Sequence, residues 1–199
     1  MTNPTVTIVD SGGANLSSVR NAFERLDITT ILSDDGEVIR KASHVLLPGV
    51  GAAKDAMTRL YKKDLVECIK GLTQPTMGIC LGMQLLFQWS QEGDVDLLNI
   101  LDGKVNHFPP LPDLIVPHMG WNSITIEGQH PVLKDINQQD YFYFVHSYAV
   151  DQGTATIASS HHGINFTAIA AQDNFIGCQF HPEKSSASGA KILQNFITL

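Results

Sequence analysis

Three short apolar runs, each ending in glycine or a tight polar cluster, constrain this chain more than any other feature. Val6 to Val9 leads into Ser11-Gly12-Gly13, Val45 to Leu47 into Pro48-Gly49-Val50-Gly51, and Met77 to Ile79 into Cys80. Runs of this kind suit strands buried on both faces of a parallel sheet. Helical spacing fills the intervals: Leu16, Val19, Phe23 and Leu26 recur at three and four residues, as do Leu65, Cys68, Ile69 and Leu72. Strand alternating with helix predicts an α/β fold built on an open parallel sheet.

The second half changes character. Pro109, Pro110, Pro112 and Pro117 interrupt the chain before Asn122 to Ile126 and Tyr141 to Tyr148, which are rich in β-branched or aromatic residues. Both read as strands, antiparallel ones extending the sheet. A strand pair is expected over Ala155 to Ser159 and Thr167 to Ala170, then a strand from Phe175 to Phe180 and a closing helix from about Ser188 to Ile197. No repeat, low-complexity tract or linker divides the chain, so residues 1–199 read as one domain.

Composition excludes several classes of function. Hydrophobic residues make up 43% and charged residues 17%, enough apolar surface for a packed core, so disorder is excluded. Thirteen Lys and Arg stand against 20 Asp and Glu, a net charge of −7 with no basic run, so a nucleic-acid backbone would be repelled. The start lacks the basic region of a signal peptide, and no apolar run approaches the roughly 18 residues that span a bilayer; a cytoplasmic location without membrane contact is expected. Cys68, Cys80 and Cys178 include none of the close pairs that build zinc or redox sites.

Gly78-Ile79-Cys80-Leu81-Gly82 lies where a strand pattern gives way to the apparent helical run Met83 to Trp89. Gly-x-Cys-x-Gly is the thiol form of a strand-to-helix nucleophile turn. Side chains two residues either side of the nucleophile would collide across so sharp a bend. Amides at Leu81 and Gly82 would favour a thiolate and offer a donor to an oxyanion. Cys68 and Cys178 read as small core residues. A nucleophile needs a base, and His181-Pro182-Glu183 supplies one: in an extended segment the imidazole and the carboxylate share a face. His107, His130, His161 and His162 read as solvated loop residues. Pro48 to Gly51 falls at the same sheet edge as Cys80, where its amides could complete an oxyanion hole; on its own it is an ordinary glycine-rich turn.

Pro-Gly-x-Gly, Gly-x-Cys-x-Gly-x-Gln and a late His-Pro-Glu, in that order, resemble the class I glutamine amidotransferases, over most of the chain. The resemblance implies a doubly wound, mostly parallel sheet flanked by helices, with additional antiparallel strands, and a Cys80, His181, Glu183 triad. Within the class, residues 80–87, Pro117-His118-Met119-Gly120-Trp121-Asn122 and residues 179–186 are similar to the glutaminase subunits that serve a cyclase in histidine biosynthesis. By that resemblance Gly51, Gln84, Glu92, His146, Ser147 and Tyr148 line a glutamine pocket, and Val50 and Leu81 donate to the oxyanion. Asn15, Met119, Trp121 and Lys184 face a (β/α)8 cyclase in a heterodimer. Neither metal nor organic cofactor is implied. One departure stands near the start, where Asp10-Ser11-Gly12 replaces the Asp-Tyr-Gly common in the family. Three other readings compete: an amidotransferase subunit of another pathway, such as pyridoxal phosphate or anthranilate synthesis; a free-standing cysteine hydrolase of γ-glutamyl peptides; and a regulatory subunit with a relic site. The stretches at 117–122 and 183–186 argue against the first, and the presence of all three triad residues against the last.

Overall fold

The computed structural model describes residues 5–12, 16–49 and 51–199. Eight strands form the main sheet, in the order Thr29–Ser33, Thr5–Val9, His44–Gly49, Thr76–Cys80, Phe175–Cys178, Ile164–Gln172, Thr156–His162 and Thr125–Ile126. The first five are parallel. The last three each run antiparallel to the strand before them.

Side chains alternate between the two faces of the central strands. Leu46, Met77 and Ile79 join Phe23 of helix Ser17–Glu24 and Phe196 of helix Ser186–Ile197 in one core. Val45 and Leu47 join Met57 and Leu60 of helix Ala53–Lys62, and Val66 and Ile69 of helix Val66–Lys70, in the other. Cover on both faces is why these strands read as continuous apolar runs. The architecture is the expected doubly wound one, with added antiparallel strands. The edge strand Thr29–Ser33 gives no such signal, because Ile31 and Leu32 stand exposed.

Three expectations are corrected. Tyr141 to Tyr148 is two strands, Tyr141–His146 and Tyr148–Val150, parted at Ser147, and Asn122 to Ile126 is divided between His118–Ser123 and Thr125–Ile126. Only Thr125–Ile126 extends the main sheet. Tyr141–His146 pairs with His118–Ser123 as a separate antiparallel ribbon, while Tyr148–Val150 joins Lys104–His107, Trp89–Ser90 and Val95–Asp96 in a second small sheet. Side-chain alternation cannot reveal that a strand changes partners midway. Met83 to Trp89 is not a helix either. One helical turn, Leu81–Gln84, is followed by buried Leu85, Leu86 and Phe87, whose carbonyls accept from the amides of Leu98, Asn99, Ile100 and Leu101. An apolar run buried on every side carries no amphipathic period to mark where a helix stops.

Candidate active site

The carboxyl ends of three neighbouring parallel strands meet at Cys80. Gly49 lies opposite Cys80 in the register of one pair, and Cys178 lies opposite Ile79 in the other. Cys80 itself takes φ +52°, a backbone conformation that few side chains adopt. The two flanking glycines make this turn possible. A Cβ on Gly78 would overlap the Gly82 carbonyl, and a Cβ on Gly82 would overlap the Leu47 carbonyl oxygen of the neighbouring strand. The collision expected across the bend is therefore found, with a second one between the helical turn and the neighbouring strand.

His181 reaches the thiol from the segment that follows Phe175–Cys178. Its amide donates to Tyr143 O (2.9 Å), and Ser185 Oγ donates to its carbonyl (2.6 Å), so its backbone is pinned on both sides. Nδ1 lies 2.8 Å from Glu183 Oε1 in a pair whose side chains are 8% and 4% exposed. The local geometry is not the extended one expected: Pro182–Lys184 is a 3-10 turn that carries Glu183 back to the imidazole. Burial alone would depress the His181 pKa; hydrogen bonds to Cys80 and Glu183, with the negative charge on both, outweigh it and push it up to about 10. An imidazolium beside a sulfur nucleophile can hold a thiolate and give a proton to a leaving group. Cys68 and Cys178 are buried, and burial pushes both thiols up.

A cavity of about 350 Å³ opens over Cys80. Gly51, Leu81, Gln84, Glu92, His146, Ser147, Tyr148 and His181 all line it, with Glu183 behind the imidazole. Glu92 has a second contact, accepting from the amide of Ala53 (2.8 Å) at the start of the helix after Gly51. A larger hollow of about 590 Å³ beside Trp89 and Lys104 contains none of these residues. Met119, Trp121 and Lys184 lie outside the cavity and are exposed. Val50 and Asn15 fall outside the described residues.

Two residues beside the cavity, His118 and Gln179, lie in the stretches that carry the resemblance, which assigns them no role. His118 Nδ1 lies 3.0 Å from His146 Nε2, and His146 Nδ1 lies 2.8 Å from the Tyr148 carbonyl. A carbonyl only accepts, so His146 carries its proton on Nδ1 and takes a hydrogen bond from His118 at Nε2. Burial depresses both rings, His118 to about 4 and His146 to about 3. His162 corrects an expectation: it is no loop residue but stacks on His118, ring centroids 4.3 Å apart. His107 and His161 also sit in strands, and His130 caps the turn Pro131–Leu133. The other is Gln179, which is fully buried beside Cys80.

Among the described residues, no helix is long and apolar enough to cross a membrane. Residues 7–199 match the family Glutamine amidotransferase class-I. Among curated relatives, "Imidazole glycerol phosphate synthase subunit HisH" of Haemophilus influenzae (strain 86-028NP) is 48% identical, covering 99% of this chain and 98% of the relative. The protein of the same name from Vibrio parahaemolyticus is 45% identical over the whole of both chains. Solved structures share the fold at low identity. PurLQS from Thermotoga maritima gives a TM-score of 0.72 at 17% identity, covering 99% of each chain; a glutamine amidotransferase gives 0.75 at 13%, covering 97% of each. The turn at Cys80, the paired imidazole and carboxylate, and a match over nearly the full length lead to one assignment: this chain belongs to the class-I glutamine amidotransferase family.

Proposed function

We propose that the chain, read as one amidotransferase domain over residues 1–199, is the glutaminase subunit of an imidazole glycerol phosphate synthase. It would hydrolyse glutamine and pass ammonia to a (β/α)8 cyclase, its partner in a cytoplasmic heterodimer. That cyclase would make imidazole glycerol phosphate and an aminoimidazole carboxamide ribonucleotide in histidine biosynthesis. The names of the curated relatives support the pathway. The observation that carries the chemistry is the Cys80 turn, facing an imidazole held 2.8 Å from a buried carboxylate.

In this reading the Cys80 thiolate attacks the side-chain carbonyl carbon of glutamine. The oxyanion takes hydrogen bonds from the amides of Leu81 and Val50, and His181 gives its proton to the departing nitrogen as the tetrahedral intermediate collapses to a thioester. Neutral His181, held by Glu183, then takes a proton from water as the water attacks the thioester, and glutamate leaves. Gly51, Gln84, Glu92, His146, Ser147 and Tyr148 hold the substrate, while Asn15, Met119, Trp121 and Lys184 meet the cyclase. Ammonia released without an acceptor is wasted, so the isolated chain should be nearly silent. One oxyanion donor turned away costs about 10²- to 10³-fold. A peptide flanked by Gly49 and Gly51 has the freedom to turn. The test is glutamate release by the chain alone, with the cyclase, and with cyclase plus its nucleotide ligand. A rise of at least about a hundredfold, roughly 2.7 kcal/mol of barrier, is expected in the last. Comparable rates in all three would overturn the coupling and favour a free-standing hydrolase.

A further inference from the structure

Two buried glutamine side chains connect the cleft to the nucleophile through hydrogen bonds whose direction is set at one end. The Tyr148 carbonyl can only accept, so the Gln84 atom 3.0 Å from it is the amide nitrogen. That nitrogen also meets the Gln179 side chain at 3.0 Å, where Gln179 must present its oxygen. The amide nitrogen of Gln179 is thereby turned toward Cys80 Sγ, 3.9 Å away. Both donors of Gln84 are used, and its oxygen is left as the acceptor that this cavity-lining residue can offer a substrate.

The placement follows from the sheet. Cys178 lies opposite Ile79 in parallel register, so the next residue, Gln179, comes alongside Cys80. Gln179 is 0% exposed, a position where an amide is costly unless both of its ends are used. Besides His181, Sγ has a further polar neighbour in the Val145 carbonyl, to which it donates at 3.9 Å. That contact exists only while sulfur keeps its proton. Val145 and Gln179 therefore favour opposite states of the nucleophile, Val145 the thiol and Gln179 the thiolate.

We propose that Gln179 is a positioning residue for glutamine hydrolysis: it fixes the Gln84 amide with its oxygen free for substrate and donates to Cys80 once the thiol has ionised. The proposal rests on the glutaminase reading above. Gln179→Glu keeps the shape and the bond from Gln84 but sets an acceptor against sulfur. Gln179→Met keeps approximate volume and removes both bonds.

Both variants would be assayed in complex with the cyclase and its ligand, alongside alkylation of Cys80 by iodoacetamide and thermal unfolding. Gln179→Glu should lower kcat about thirtyfold with KM changed less than threefold. Its alkylation at pH 7 should be about tenfold slower and should recover as pH rises. Gln179→Met should lower kcat and also raise KM about tenfold, because the Gln84 amide is released. Wild-type kcat, KM and alkylation rate in either folded variant would overturn the proposal. So would a loss in both variants that tracks only the fraction unfolded. Failure of the glutaminase reading would look different: the wild-type complex itself would release no glutamate.

Discussion

Around Cys80 the chain leaves no room for choice, whereas the outer face of the ribbon His118–Ser123 and Tyr141–His146 is left open. In the turn, two glycines are required by backbone atoms that a Cβ would strike, and His181 is held by bonds to Tyr143, Ser185 and Glu183. On the ribbon, Met119, Trp121 and Tyr141 stand 62%, 53% and 55% exposed, and Trp121 makes an edge contact with the Tyr143 ring. The first region is determined by the chain's own backbone, and changes there should be felt in folding. The second gains meaning only from a surface that covers it, so changes there should be felt in assembly alone.

The largest effect that could break this contrast is on folding. Gly82→Ala puts a methyl group into the Leu47 carbonyl, and should cost about 4 kcal/mol or more in urea unfolding, beyond an ordinary glycine replacement. A change under about 1 kcal/mol would mean that the turn has slack. Trp121→Ala should leave unfolding within about 0.5 kcal/mol of the parent. The same substitution should weaken cyclase binding about thirtyfold, roughly 2 kcal/mol, by titration calorimetry. Unchanged affinity would remove the outer face from the proposed interface.

The inner face of the same ribbon sharpens the contrast through pH. His118 and His146 are held neutral, near 4 and 3, whereas the unfolded chain protonates them near pH 6.5. Their contribution is complete above about pH 6.5 and is lost as pH falls toward 4 for His118 and 3 for His146, because the unfolded state then binds more protons. Between pH 7 and 5 the pair should cost about 4 kcal/mol of stability, about 2 from each ring, and His118→Asn should lose less. His181, raised to about 10, acts in the opposite sense: its contribution is present below about pH 6.5 and fades as pH climbs through 10. Identical unfolding curves at pH 7 and 5 would show that the histidine pair carries no such linkage.

What could be read from the sequence follows the same division. The turn at Cys80 is legible because its requirements are local: five consecutive residues carry the nucleophile and both glycines. His181 and Glu183 are legible by their spacing, although the turn that joins them is not the one expected. The strand break at Ser147 is silent because alternation continues through the point where the chain leaves one sheet for another. Gln179 falls in a stretch the resemblance names, but its place beside Cys80 is silent because it depends on the register between Phe175–Cys178 and Thr76–Cys80, strands far apart in the chain. His162 is silent because stacking on His118 comes from tertiary packing. Met119 and Trp121 are visible only through resemblance, since an exposed aromatic on a ribbon announces no partner by itself.

The central claim is that Cys80 opens glutamine in one site so that ammonia can be used in another. Cys80→Ala, in complex with the cyclase, measures this directly by product formation from glutamine and from added ammonium salt. The account predicts a loss of at least about 10⁴-fold with glutamine, roughly 5.5 kcal/mol of barrier, and an unchanged rate with ammonium. Equal loss with both nitrogen sources would contradict it and would make Cys80 a support for assembly.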